Sequence, residues 1–82
     1  MPHEFLSTPV DVLASFNGNG VKPVAFKWGG RRISVEAVNL VFDSISGRER
    51  IIHFAVSSAQ AAYQLDYYSL KQQWKLSGYY VE

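Results

Sequence analysis

The stretch Phe26-Lys27-Trp28-Gly29-Gly30-Arg31-Arg32-Ile33-Ser34-Val35 decides the fold class. An apolar-alternating run enters a Gly-Gly pair and a second alternating run leaves it. Strand side chains alternate between two faces with a period of two, and a Gly-Gly pair accepts the positive φ angles of a tight two-residue turn, so these ten residues predict a β-hairpin. The same segment holds the densest basic spot of the chain, because Arg31 and Arg32 open the second strand.

Outward from that hairpin the period of two continues. Upstream, residues 1–9 read as a loose lead-in, with Ser7-Thr8-Pro9 as a breaker. Val10, Val12, Ala14 and Phe16 then share one face of a first strand. Asn17-Gly18-Asn19-Gly20 reads as a turn, and Val24, Phe26 and Trp28 mark the second strand. In the third strand Ile33 and Val35 have one parity and Val38, Leu40 and Phe42 the other. A β-bulge near Glu36 to Val38 reconciles the two and bends the strand. Asp43-Ser44-Ile45-Ser46-Gly47-Arg48 reads as the next turn. Ile52, Phe54 and Val56 mark a fourth strand, Tyr63, Leu65 and Tyr67 a fifth, and Trp74 to Val81 a sixth.

One segment carries two patterns. Ala59, Tyr63, Tyr67, Leu70 and Trp74 also fall at helical spacing, behind a Ser57-Ser58 pair able to cap a helix. Tyrosine suits a pleated, half-buried surface, so strand is preferred over helix for residues 61–68. The link Ser57-Ser58-Ala59-Gln60-Ala61-Ala62 lacks a glycine turn, which leaves the ends of its flanking strands open. The expectation is an all-β fold: a six-stranded antiparallel meander in residues 10–82, curled into a small SH3-like barrel or a strongly bent sheet.

Composition narrows the function. At 82 residues, with 48% hydrophobic and 18% charged, the chain has the material for one modest core and lacks the signature of disorder. Eight Lys and Arg against seven Asp and Glu give a net charge of +1, too weak a field to steer a polyanion globally. The absence of cysteine removes disulfides, thiolate metal sites and cysteine nucleophiles, and favours the cytoplasm. Met1 to Leu6 has neither a cationic start nor a signal-length apolar run, and no window has the length of a membrane span.

The candidate binding residues are Lys27, Arg31, Arg32, Tyr68, Lys75 and Tyr79. The cations, with an aromatic beside them, are the pieces of a phosphate-contacting patch on which a base stacks. Set against that is the plainer expectation of solvated strand-end arginines packed on an aromatic ring. Trp28 and Trp74 lie in phase with core residues and read as core pillars. Of five tyrosines, Tyr68 and Tyr79 are expected as outward rings suited to a partner. His53 has no second histidine at ligand spacing. Its nearest acids in sequence are Asp43 and Asp66, so a structural role is expected and a catalytic one would need His53 clustered with buried carboxylates. No nucleophile elbow, phosphate loop or dinucleotide fingerprint occurs, and no cofactor or metal is expected.

Taken together, Pro23-Val24-Ala25-Phe26-Lys27-Trp28-Gly29-Gly30-Arg31-Arg32, Tyr63-Gln64-Leu65-Asp66-Tyr67-Tyr68, Trp74-Lys75-Leu76 and Tyr79-Tyr80 resemble a small, functionally uncharacterised bacterial β-domain family. That family carries a P-x-x-F-x-W-x-G-R hairpin and a Y-x-L-x-Y…W-x-L ending, and the resemblance spans about Lys22 to Glu82. Some similar domains stand beside DNA-repair polymerase-like proteins, which implies an accessory part in nucleic-acid transactions. The residues themselves favour a non-enzymatic module that binds a protein partner or itself through an aromatic-bearing sheet face, with nucleic-acid binding as the alternative.

Overall fold

The structure is a computed structural model that describes residues 3–59 and 61–81, with side chains from Ser7 onward. It is all-β, with eight strands: β1 (His3–Pro9), β2 (Asp11–Asn17), β3 (Gly20–Trp28), β4 (Arg31–Ser34), β5 (Ala37–Ser46), β6 (Glu49–Ser58), β7 (Ala61–Tyr68) and β8 (Gln73–Val81). They form two antiparallel sheets, one of five strands in the order β1-β8-β7-β6-β5 and one of three in the order β2-β3-β4. Among the described residues no helix is long and apolar enough to cross a membrane.

The deciding hairpin forms as its sequence dictates. Trp28 pairs with Arg31 across Gly29 and Gly30, whose φ angles of 61° and 76° are those of a type I′ turn. Facing the five-stranded sheet, this hairpin sends Phe26 and Ile33 inward. They meet Phe54, Val56, Tyr63, Leu65, Trp74 and Leu76 in the core, and Val10, Val12, Trp28, Val35, Val38 and Tyr79 pack around it. Trp74 is thus a core residue and Trp28 a core-flanking one, placed edge-on against Tyr79 with ring centroids 4.8 Å apart.

Several expectations are corrected. Residues 3–9 of the expected loose lead-in form β1, which pairs with β8 through a register shift between Phe5 and Thr8, and residues 1 and 2 lie outside the described residues. Eight strands replace six. One source is β1, and the other is the predicted third strand, which breaks at Val35-Glu36 into β4 and β5. There the Val35 N–H donates to the Val24 carbonyl in one sheet and the Glu36 N–H to the Ser57 carbonyl in the other. A bulge follows between Val38 and Leu40, close to where the phase change called for one. Val10 does the same at the other corner, donating to the Trp74 carbonyl between β1 and β2. The chain therefore bends from sheet to sheet at two corners, and the ladders do not close into a barrel.

The expected turn at 43–48 is also shorter than its composition suggested. β5 continues through Ser46, and only Gly47-Arg48 turns. Residues 61–68 are strand, and the helical alternative fails there. Ala59, at a φ of 52°, helps turn β6 into β7 where no glycine is available. Gln60 lies outside the described residues.

Candidate functional site

The register of the five-stranded sheet builds its outer face row by row. Phe42, His53, Asp66 and Lys75 are successive cross-strand partners from β5 to β8, and Ser44, Ile51, Tyr68 and Gln73 form the adjacent row. Phe42 stacks on the His53 imidazole with centroids 4.6 Å apart and planes 18° apart. His53 Nδ1 lies 2.8 Å from Asp66 Oδ1, and His53 Nε2 lies 2.8 Å from Ser44 Oγ. Asp66 is buried and also accepts from Gln64 Nε2 at 3.3 Å. A carboxylate can only accept, so Nδ1 donates to Asp66. In the neutral ring Nε2 then accepts from the Ser44 hydroxyl. The network ties three strands together, joining Ser44 of β5, His53 of β6 and Asp66 of β7.

Beside it, Lys75 Nζ sits 4.9 Å and Lys71 Nζ 5.5 Å from the centre of the Tyr68 ring. A second clip holds two turns together at the end of this sheet. The buried Glu49 carboxylate accepts from the Lys71 backbone N–H at 2.9 Å, and Ser69 donates both its N–H and its hydroxyl to the Arg50 carbonyl.

β5 is an edge strand of this sheet, and among the described residues it carries more exposed large hydrophobics than any other strand. Leu40 (56% exposed) and Phe42 (45%) project from the outer face, while Val41 (53%) and Ile45 (74%) project from the inner face. At this end Phe16 of the three-stranded sheet meets Tyr67 of β7 edge-on at 5.8 Å, while Val41 and Ile45 on β5 stay more than half exposed. Toward the other end of β5, Val38 packs on the core. Asp43, the one charged residue of β5, is bound by Arg50 Nε at 2.7 Å.

The six residues singled out from sequence fall in different places. Asp11, Lys27 and Arg32 form one row on the outer face of the three-stranded sheet. Arg31 lies on the opposite face of β4, in a groove that Tyr63 and Tyr79 also line and that Arg32 borders. Tyr79 is not the outward ring expected. It stacks on Tyr63 at 5.4 Å, against the core, because the bulge between Gln64 and Leu65 resets the pairing of β7 and β8. Burial, with the neighbouring Tyr79 adding and Arg31 opposing, raises the Tyr63 pKa above its ordinary 10.0. Tyr68 and Lys75 do meet, on the outer face of the large sheet.

The sequence reading placed Val38, Leu40 and Phe42 in a strand and named Asp66 as an acid near His53, but it put Ser44 in a turn and did not identify β5 as an exposed edge. The available signal was the Gly47 turn, since a two-residue turn at 47–48 places Ser44 across from Ile51 and Phe42 across from His53. Among the described residues no group of three or more His, Cys, Asp or Glu is arranged to hold a metal ion. No family model, no curated protein and no solved structure matches the chain.

Proposed function

We propose that this chain is a non-enzymatic interaction module whose binding element is the edge strand β5, flanked by the aromatic outer face of the five-stranded sheet. One observation carries the reading: a ten-residue edge strand presents Leu40, Val41, Phe42 and Ile45 to solvent on both faces. A free edge offers a row of unpaired backbone N–H and C=O groups, and folded proteins ordinarily guard it with lysine, proline or inward charge. From Leu40 to Ser46 this strand has no such residue except Asp43, which Arg50 already holds. Strand addition would supply affinity through the main chain and specificity through alternate side chains.

Titrating the isotopically labelled chain with an extended peptide of alternating valine and threonine tests this by NMR. Shifts concentrated at Leu40 to Ile45 are expected. Shifts confined to β1 or to the three-stranded sheet would contradict it.

Ser44, His53 and Asp66 have the connectivity of a nucleophile, base and orienting carboxylate. Acyl transfer also calls for aligned donors at the developing oxyanion and a cleft that excludes water. Ser44 instead stands exposed on the open side of an edge strand. We assign the network to fastening β5 onto β6 and β7. A fluorophosphonate probe is expected to leave Ser44 unmodified, and stoichiometric labelling lost in Ser44→Ala would overturn that assignment.

The groove shared by Arg31, Arg32, Tyr63 and Tyr79 supports a second reading, nucleic-acid binding, in line with the family resemblance. Labelled single-stranded DNA titrated at two salt concentrations tests it, because phosphate contacts weaken steeply as salt rises. Binding would have to fall in Arg31→Ala and Arg32→Ala, and no binding at low salt would end the reading.

A further inference from the structure

We infer that the occupant of the β5 edge is a second copy of this chain, paired antiparallel strand to strand about a twofold axis through Val41; this rests on the reading of β5 as the binding element. A twofold interface is self-complementary, so each residue of β5 faces a fixed partner and the register can be tested against the sequence. With the axis through Val41, each Val41 faces its own copy on the inner face. Leu40 faces the partner's Phe42 on the outer face. The exposed Leu40, Val41 and Phe42 are then matched to one another, and Asp43 lies opposite the bulge at Asn39.

Two registers shifted toward Ser46 fit worse. An axis through Phe42 sets Val41 against the partner's Asp43. An axis through Asp43 sets the two Asp43 carboxylates against each other, and like charges directly opposed destabilise a strand pair. The polar side chains of this stretch are already engaged, Asp43 by Arg50 and Ser44 by His53. Both edges carry unpaired main-chain groups, so pairing would continue the five strands of one copy into the five of the other.

Because the chain contains no cysteine, a single introduced thiol reports its own position. Facing residues in an antiparallel pair stand about 4.5–5.5 Å apart at Cα, within the span of a disulfide. In this register the two Ile45 positions are about 27 Å apart at about 3.4 Å per residue, beyond disulfide reach. Under mild oxidation Val41→Cys is expected to form a covalent dimer at least roughly tenfold faster than Ile45→Cys. Light scattering of the unaltered chain should show a dimer that dissociates on dilution, and Val41→Asp should be a folded monomer by circular dichroism.

A chain that stays monomeric at its highest soluble concentration, or equal cross-linking of the two cysteine variants, would overturn the proposal. If the monomer still shows valine–threonine peptide shifts at Leu40 to Ile45, the second copy is wrong and the β5 reading stands. If it shows neither, both fall.

Discussion

β5 and β6 are hairpin partners of ten residues each, and both are rich in apolar residues. In β6, Ile51, Phe54 and Val56 are buried, whereas in β5 only Val38 is even half-buried. The difference lies in their neighbours. β6 is paired on both sides, and Phe54 and Val56 share the core with Phe26 and Ile33 of the smaller sheet. β5 has one neighbour and, beyond Val38, little cover. Alternation of apolar residues specifies a strand; whether those residues end up in a core or on a binding edge depends on what packs over them.

That contrast breaks most visibly under truncation. Leu65 is 0% exposed in the core, so Leu65→Ala is expected to cost about 2–5 kcal/mol of unfolding free energy in denaturant titrations. Ile45→Ala, on the open strand, should change the stability of the monomer by less than about 0.5 kcal/mol. Equal costs would mean that β5 is covered after all.

A smaller effect separates the two ends of the polar network. Among the described residues, His53→Ala leaves the buried Asp66 carboxylate with only the long Gln64 bond, and it is expected to cost about 1.5–3 kcal/mol. Ser44→Ala removes an exposed hydroxyl and should cost under about 1 kcal/mol. Reversal of that order would show that the network is anchored at the edge strand rather than at β7.

The groove tyrosine adds a pH dependence. The Tyr63 pKa is raised on folding, so the folded chain holds this proton more tightly than the unfolded chain does. Its contribution is complete below pH 10.0, the ordinary value, and is lost as pH rises through the raised one. Denaturation midpoints measured from neutral pH upward should fall in that window, and Tyr63→Phe should remove part of the fall. An identical alkaline decline in the variant would contradict this.

The central hairpin was legible because alternation and a Gly-Gly turn are local properties. The break between β4 and β5 was half-legible, as a change of phase between Val35 and Val38. β1 was hidden by Ser7 and Pro9, since a proline at the end of an edge strand costs no ladder bond that the sequence could reveal. The continuation of β5 was masked by turn-forming residues, Asp43, Ser44 and Ser46. Asp43 and Ser44 find their partners only across the hairpin, in Arg50 and His53. The same holds for the site: Lys27 and Arg32 could be placed together from one tight turn. Tyr68 with Lys75, or His53 with Asp66, requires the register of strands joined by longer or glycine-free links.

Amide hydrogen exchange measured at low and high protein concentration tests binding at β5 most directly. Amides of Leu40 to Ser46 are expected to gain protection as concentration rises, while those of β7 stay unchanged. Exchange in β5 that is independent of concentration, and unaffected by added extended peptide, would contradict the claim that this edge is where the chain binds.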